Sequence, residues 1–193
     1  MWIEPVVLEG RHVRLRPLLL GDAGALSRFH DPALFAYYLD WPEDGTLEAY
    51  RAYLSRALSD SFRLVFAIEK RASRVVVGHT AFLEMRQAHK ALEIGFTLIA
   101  KPHQGTPVNP ESKYLMLRHA FEEKGAVRVQ LKTDERNLQS QRAIEKLGAV
   151  REGVLRKYQT RKDGYVRNTV IYSILESEWP RVKRGLEARL AHK

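Results

Sequence analysis

Residues 98–113 read LIAKPHQGTPVNPESK: a strand end, a polar turn with one glycine, and the start of a helix. Asn109 can accept a hydrogen bond from a free amide of the first turn, and Pro110 suits the first helical position, where no N–H is needed. A helix start of this kind carries unbonded N–H groups and about half a positive charge. With the amides around Gly105 and Thr106 it can bind a pyrophosphate, and Gln104, Val108 and Asn109 add amides and polar side chains to the same cradle. Read alone, an ordinary capped helix after a loop accounts for the segment at least as well, because it holds neither a Walker sequence nor G-x-G-x-x-G. Its meaning depends on the elements around it.

Upstream, three runs rich in Val, Ile and Phe follow one another across charged turns: Phe62 to Glu69, Val75 to Glu84, and Leu92 to Ile99. They predict an antiparallel meander. Downstream the period changes, giving a helix from Pro110 to about Glu123, a strand from Val127 to Thr133, a helix from Leu138 to Leu147, and strands Val150 to Tyr158 and Val166 to Leu175. A strand–helix–strand unit inside an antiparallel sheet implies a central parallel pair joined by a right-handed crossover. Towards the N-terminus, Arg11 to Leu18 reads as a strand with Val13 and Leu15 on one face and Arg14 and Arg16 on the other. Asp22 is placed to cap a first helix, Pro32 to Leu39 reads as a second, and Leu47 to Leu58 as a third, with Leu47, Tyr50, Tyr53, Leu54 and Leu58 on one face. The expected fold is α/β: a mixed, mostly antiparallel twisted sheet of about seven strands, with a central parallel pair and flanking helices.

The chain has 193 residues, 45% of them hydrophobic, which fits one domain over residues 1–193. It has no cysteine, so disulfides, thiolate metal sites and a cysteine nucleophile are excluded. Its seven histidines show no ligand spacing, and no metal site is expected. No apolar run approaches the roughly 20 residues of a membrane span, and the N-terminus lacks a signal pattern, so a cytoplasmic protein is expected. The net charge of +9 favours an anionic partner such as a phosphate-rich cofactor, a ribosomal surface or nucleic acid. Basic and acidic residues alternate along the chain rather than forming a stripe or tail, which argues against direct nucleic-acid binding.

The ordered series EIGFTLI (93–99), HQGTPVN (103–109), YLMLRHAFE (114–122), VRVQLKT (127–133), NLQSQRAIEKLGAV (137–150) and EGVLRKY (152–158) resembles the GNAT N-acetyltransferase superfamily. The likeness spans most of the chain. It is nearest to the branch of ribosomal-protein alanine N-acetyltransferases, which share the step Asn137 to Ser140, the helix end Ala143 to Gly148, Glu152 with Gly153, and the hairpin Asp163 with Gly164. The chain departs from the superfamily pattern in the cradle. Pro102 stands where Gln or Arg is usual, and Pro107 stands where Gly or Ala is usual; Pro107 has no N–H to donate. Weaker cofactor binding, or a shifted pyrophosphate, is the expected consequence.

The resemblance implies acetyl-CoA as cosubstrate and an amine as acceptor. It implies that a backbone N–H in the stretch Phe96, Thr97 and Leu98 holds the acetyl carbonyl where the strand splays, that Ser140 faces the sulfur, and that Asn137 contacts the pantetheine arm. From the residues alone, Asn137 and Ser140 read as a helix cap and a first-turn serine. Glu93 alternates with Leu92, Ile94 and Phe96, so it lies on the other strand face and is the candidate base; a solvated strand carboxylate is the alternative. An acidic residue of the ribosomal branch falls here on Gln159, which removes that candidate. Arg142 and Lys146 could meet phosphates, although exposed helix charges are usually only solvated. The aromatic residues Phe29, Phe35, Tyr37, Tyr38 and Trp41 lie on the implied acceptor side and could equally be core. His79 and His103 receive no role. An N-terminal amine has a pKa near 8 and needs only a modest base. A protein N-terminus is therefore the first acceptor reading, a small amine the second, and a non-catalytic acyl-CoA-binding module the third. The superfamily often forms dimers, so a homodimer is an expectation without an assigned interface.

Overall fold

Val13 and Leu15 are fully buried while Arg14 and Arg16, alternating with them, are not, the alternation that makes a half-buried strand. The computed structural model describes residues 2–191. Its strands are β1 (Leu8–Glu9), β2 (Val13–Pro17), β3 (Arg63–Lys70), β4 (Val76–Arg86), β5 (Ala91–Ile99), β6 (Arg128–Asp134), β7 (Val150–Thr160) and β8 (Val166–Leu175). Its α-helices are α1 (Ala23–Ser27), α2 (Leu47–Ser59), α3 (Val108–Arg118), α4 (Leu138–Glu145) and α5 (Trp179–Ala191). The strands form one sheet in the order β1-β2-β3-β4-β5-β6-β8-β7. Every pairing is antiparallel except β5 with β6. The short β1, which makes the sheet eight-stranded, carries too little pattern in two residues to be read beforehand. No described helix is long and apolar enough to cross a membrane.

Each sheet face has its own core. Val77, Phe82, Leu92 and Ile94 pack with Leu115, Met116, Ile144 and Trp179, so α3, α4 and α5 cover one face. Val65, Ala67, Ala81 and Leu98 pack with Leu26, Tyr50, Tyr53 and Leu54, so α1 and α2 cover the other.

Several local expectations are corrected. Asp22 does not cap α1 with its side chain. Its carboxylate accepts instead from the Leu19 N–H at 2.9 Å and from Arg16 Nη1 and Nη2 at 2.9 and 2.7 Å, because a guanidinium fork is a stronger partner than one amide. The expected helix from Pro32 to Leu39 is a single 3₁₀ turn, Pro32–Phe35, capped by Asp31. Helix α3 begins at Val108, with Pro107 in the cap position, and passes into one π turn over His119–Glu123. Helix α5 went unread, although Trp179, Val182 and Leu186, all buried, already lie at helical spacing.

Candidate active site

The parallel pair is short. Ala91, Leu92 and Glu93 pair with Arg128, Val129 and Gln130; beyond them β5 continues on β4 and β6 continues on β8. The sheet therefore opens in a wedge just after Glu93.

A bulge sits on the β5 side of this wedge. His79 faces Leu98 and Ala81 faces Gly95, so two steps on β4 oppose three on β5. The extra residue is absorbed at Phe96, whose φ is 49°, a left-handed conformation that costs a bulky residue about 1–3 kcal/mol. The surroundings fix it. The His79 ring stacks on Phe96 at 4.3 Å, and the Tyr53 ring lies 5.8 Å away. His79 Nδ1 bonds the Phe96 carbonyl at 2.9 Å, and its Nε2 meets the Tyr53 hydroxyl at 3.1 Å. A carbonyl only accepts, so Nδ1 carries the proton and Nε2 accepts from Tyr53. Burial pushes the His79 pKa down to about 4, which keeps the ring neutral. The Phe96 carbonyl is thus held towards β4, and in a planar trans peptide the Thr97 N–H must point the opposite way, into the wedge. Tyr38 donates its hydroxyl proton to the Thr97 carbonyl. The bulge also corrects the expected alternation: Glu93 lies opposite Leu92 and Ile94, but Phe96 turns to the same side as Glu93, towards α2.

Glu93 is 1% exposed, not a solvated strand carboxylate. Its Oε2 accepts from Gln130 Nε2 at 3.1 Å and pairs with Lys132 Nζ at 2.9 Å; the same ammonium reaches Glu84 at 2.9 Å. Burial raises the Glu93 pKa above the ordinary carboxylate value, while Lys132 and Gln130 oppose the rise. Gly95 makes the room, since a Cβ there would stand 2.9 Å from Glu93 Oε1.

Across the wedge, Asn137 caps α4 by accepting from the Ser140 N–H at 3.0 Å. Ser140 is half-buried, and its hydroxyl has no hydrogen-bond partner among the described residues. Gln104 ties the two walls together: its amide donates to the Ile99 carbonyl at 3.1 Å and accepts from Gln139 at 3.3 Å. Gly105 has a φ of 73°, with open space where a Cβ would stand. The Thr106 hydroxyl donates to the His103 carbonyl at 2.7 Å and lies 3.4 Å from the Val108 amide. Asn109 is not the cap expected of it, because the helix starts before it; its Oδ1 is buried without a hydrogen-bond partner. Arg142 and Lys146 are exposed on α4.

The β7–β8 hairpin, on the β6 side of the wedge, is strapped to the segment before α2. Arg161 Nη1 donates to the Ala36 carbonyl at 2.5 Å, the Lys162 amide to Leu39 at 2.8 Å, and Arg167 Nη1 to Tyr37 at 3.1 Å. Arg167 also donates to Gln159 at 2.9 Å, so Gln159 serves the strap. Of the expected aromatic residues, Phe35 is core, Tyr38 reaches the bulge, and Trp41 lies under Arg161 at 5.1 Å. From the sequence, His79 receives no role and Tyr53 is only part of a helix face; Lys113, a lysine on the buried face of α3, is not singled out.

Residues 12–150 match the family described as Acetyltransferase (GNAT) domain. The chain belongs to the GNAT acetyltransferases. A crystal structure from T. thermophilus with a provisional acetyltransferase assignment is 48% identical, with a TM-score of 0.93 over 98% of this chain and all of that one. The uncharacterised N-acetyltransferase YoaA of Bacillus subtilis (strain 168) is 29% identical over 111 residues; the aligned part covers 58% of this chain and 62% of YoaA. Mycobacterium smegmatis RimJ, solved with CoA-disulfide, shares the fold at 22% identity and a TM-score of 0.77, over 96% of this chain and 95% of RimJ.

GNAT acetyltransferases use acetyl-CoA, and the residues here fit that ligand. The sheet opens after Glu93, Gly105 has open space where a Cβ would stand, and the Ser140 hydroxyl, without a partner among the described residues, is a group that a ligand can satisfy. The cradle is nonetheless sparse in donors. Pro107 and Pro110 have no N–H, that of Glu111 bonds the Pro107 carbonyl and that of Val108 donates to the Thr106 hydroxyl at 3.4 Å, so the first turn leaves that of Asn109 and, weakly engaged, that of Val108.

Proposed function

We propose that this protein transfers the acetyl group of acetyl-CoA to a primary amine, most readily the N-terminal amine of a protein. The observation that carries the reading is the Thr97 N–H aimed into the wedge with buried Glu93 beside it. Acetyl-CoA supplies the activated thioester. In the proposed transfer the amine nitrogen bonds the acetyl carbon, the carbon–sulfur bond breaks, the amine gives up a proton and the thiolate gains one. Thr97 N–H would hold the carbonyl oxygen, an oxyanion contact made by backbone. Glu93, with its pKa raised by burial, would take the amine proton, directly or through water. The Ser140 hydroxyl would give a proton or hydrogen bond to the sulfur, and Asn137 would meet the pantetheine arm with its remaining N–H groups. Gln104, Gly105, Thr106, Val108 and Asn109 would line the pyrophosphate end.

The choice of acceptor rests on charge. On the Glu93 face a hollow of about 360 Å³ is lined by Glu84, Gln130, Glu152 and Tyr158 among others. Its acids are already paired, Glu84 with Lys132 and Glu152 with Arg128. A polycationic small amine needs unpaired acids, whereas a peptide N-terminus brings one charge and a backbone. The RimJ structure with CoA-disulfide has the same fold, and its example supports reading the wedge as a coenzyme site.

Calorimetric titration with acetyl-CoA comes first, followed by thiol-release assays on N-terminal peptides and small amines. Micromolar binding and turnover of peptides would support the reading. Turnover confined to polyamines or aminoglycosides would refute the acceptor, and no binding up to millimolar would refute the enzyme.

A further inference from the structure

Lys113 is an anomaly on α3. It is 5% exposed, yet among the described residues no carboxylate pairs with it. Its Nζ donates to Thr97 Oγ1 at 2.5 Å and to Thr80 Oγ1 at 3.2 Å. The two hydroxyls lie 2.9 Å apart, and each also approaches the Gly95 carbonyl, at 3.4 Å for Thr80 and 3.3 Å for Thr97. Both acceptors of the ammonium, and the carbonyl behind them, are neutral. Glu111, two residues earlier and equally buried, is explained by three backbone amides that it binds; Lys113 has no comparable structural task. A buried unpaired ammonium is costly, and Met or Leu would fill the same space without that cost.

Its position suggests what the charge does. Helix α3 lies on the sheet face that also carries α4 and Ser140, and Thr97 is the residue whose N–H opens into the wedge. The bulge turns Phe96 to one face and Thr97 Oγ1 to the other, directly onto Lys113. We propose that Lys113 is a positioning residue for acetyl transfer: acting through Thr97, its ammonium fixes the bulge and supplies positive potential where negative charge develops on the acetyl carbonyl oxygen. This rests on the acetyltransferase reading given above. No proton leaves Lys113 in this role.

The other charged groups near it face elsewhere. Glu93 and neutral His79 lie across the sheet, Glu111 on its own helix turns to the amides of residues 11–13, and His119 pairs with Glu123. Burial lowers the Lys113 pKa to about 7, so near neutrality its charge responds to what binds beside it.

The test uses the whole protein and two variants, Lys113→Met and Thr97→Val. Lysine ¹³Cε resonances are followed against pH, without ligand and with coenzyme A; acetyl-CoA turnover is followed by thiol release with an accepted peptide or, lacking one, with water. The expected results are a resonance that titrates near neutrality, is missing in Lys113→Met, and moves to higher pH when coenzyme A binds. Lys113→Met should lower kcat about tenfold to a hundredfold with KM for acetyl-CoA within about threefold, and Thr97→Val should act in the same direction. Removal of the titrating group should also flatten the kcat–pH profile around neutrality. An unchanged kcat in Lys113→Met, or a loss confined to KM, overturns this proposal while leaving the acetyltransferase reading intact. A wild-type protein that binds no coenzyme A overturns both.

Discussion

Replacing Glu111 with alanine should be among the most damaging single changes in this chain. The carboxylate is 4% exposed and accepts the backbone N–H groups of Arg11 at 2.9 Å, His12 at 2.7 Å and Val13 at 2.7 Å, which clamps the β1–β2 turn onto the start of α3. Gly10 is small for this contact, since a Cβ there would stand 2.6 Å from Glu111 Cδ. Hydrogen bonds to a charged acceptor contribute about 1.5–3 kcal/mol each. Water can still reach the exposed Arg11 amide and part of His12, so the expected loss for Glu111→Ala is about 3–6 kcal/mol. For a chain of this size that is a fall in Tm of about 10–20 °C, a large share of a typical total stability of about 5–15 kcal/mol. Glu111→Gln can keep an oxygen where His12 and Val13 bind and lose the Arg11 contact, so about 1–3 kcal/mol is expected. Thermal and urea unfolding followed by circular dichroism measure both. A Glu111→Ala melt within about 3 °C of wild type, or a Gln variant as unstable as the Ala variant, would refute the clamp. Because α3 also begins the coenzyme cradle, the surviving folded fraction should bind acetyl-CoA more weakly.

Four further outcomes are expected. Ser140→Ala should lower kcat more than it weakens acetyl-CoA binding, because its contact strengthens as the thiolate forms; equal losses in kinetics and calorimetry would count against the role. Glu93→Gln should reduce kcat/KM for a peptide about a hundredfold or more at neutral pH with the acetyl-CoA Kd little changed, and a wild-type rate would exclude Glu93 as the base. Pro107→Gly restores an N–H to the cradle and should tighten acetyl-CoA several-fold by calorimetry; unchanged binding would mean that the proline costs nothing. His79 is neutral in the fold with a pKa of about 4 against 6.5 when unfolded, so the unfolded chain binds the extra proton and stability falls as pH drops through that window, by about 2 kcal/mol at pH 5. Urea midpoints of His79→Gln between pH 7 and pH 5 should lack this part of the decline.

The order of elements was legible because it depends on period. Alternation at residues 13–16, aliphatic runs from 63 to 99 and the change to helical spacing after 108 follow from which faces meet the core, and the short strand–helix–strand step required the parallel pair. Side-chain partnerships were less legible. Asp22 and Asn109 both stand where caps commonly stand, but whether a short polar side chain bonds the nearest amide depends on competitors brought from elsewhere in the fold. For Asp22 the competitor is Arg16; for Asn109 the helix simply starts two residues earlier than expected, behind a proline whose fixed φ already suits it. The candidate site was likewise legible only as a place. Residues 96–98 were marked as the stretch where an amide faces the opening, whereas the amide itself could be named only from the direction of one carbonyl.

The bulge shows why. A strand that must splay and turn one N–H into a cleft needs an extra residue and a positive φ, and glycine would adopt that conformation without strain. Gly95 is adjacent and its lack of a side chain leaves room for Glu93, but the left-handed position falls on Phe96. A phenylalanine at φ 49° is tolerated because the aromatic ring that causes the strain also supplies contacts that oppose it: His79 stacks on it, Tyr53 lies against it, and Arg63 sits 5.1 Å from its centre. The same His79 then binds the Phe96 carbonyl and so orients the Thr97 amide. Strain, packing and amide direction are therefore one coupled arrangement, and a change at His79 should disturb the geometry of transfer before it disturbs the sheet. No pattern of hydrophobic residues along the chain encodes that coupling, because its members, residues 53, 79 and 96, lie on three different elements and meet only when the sheet has formed.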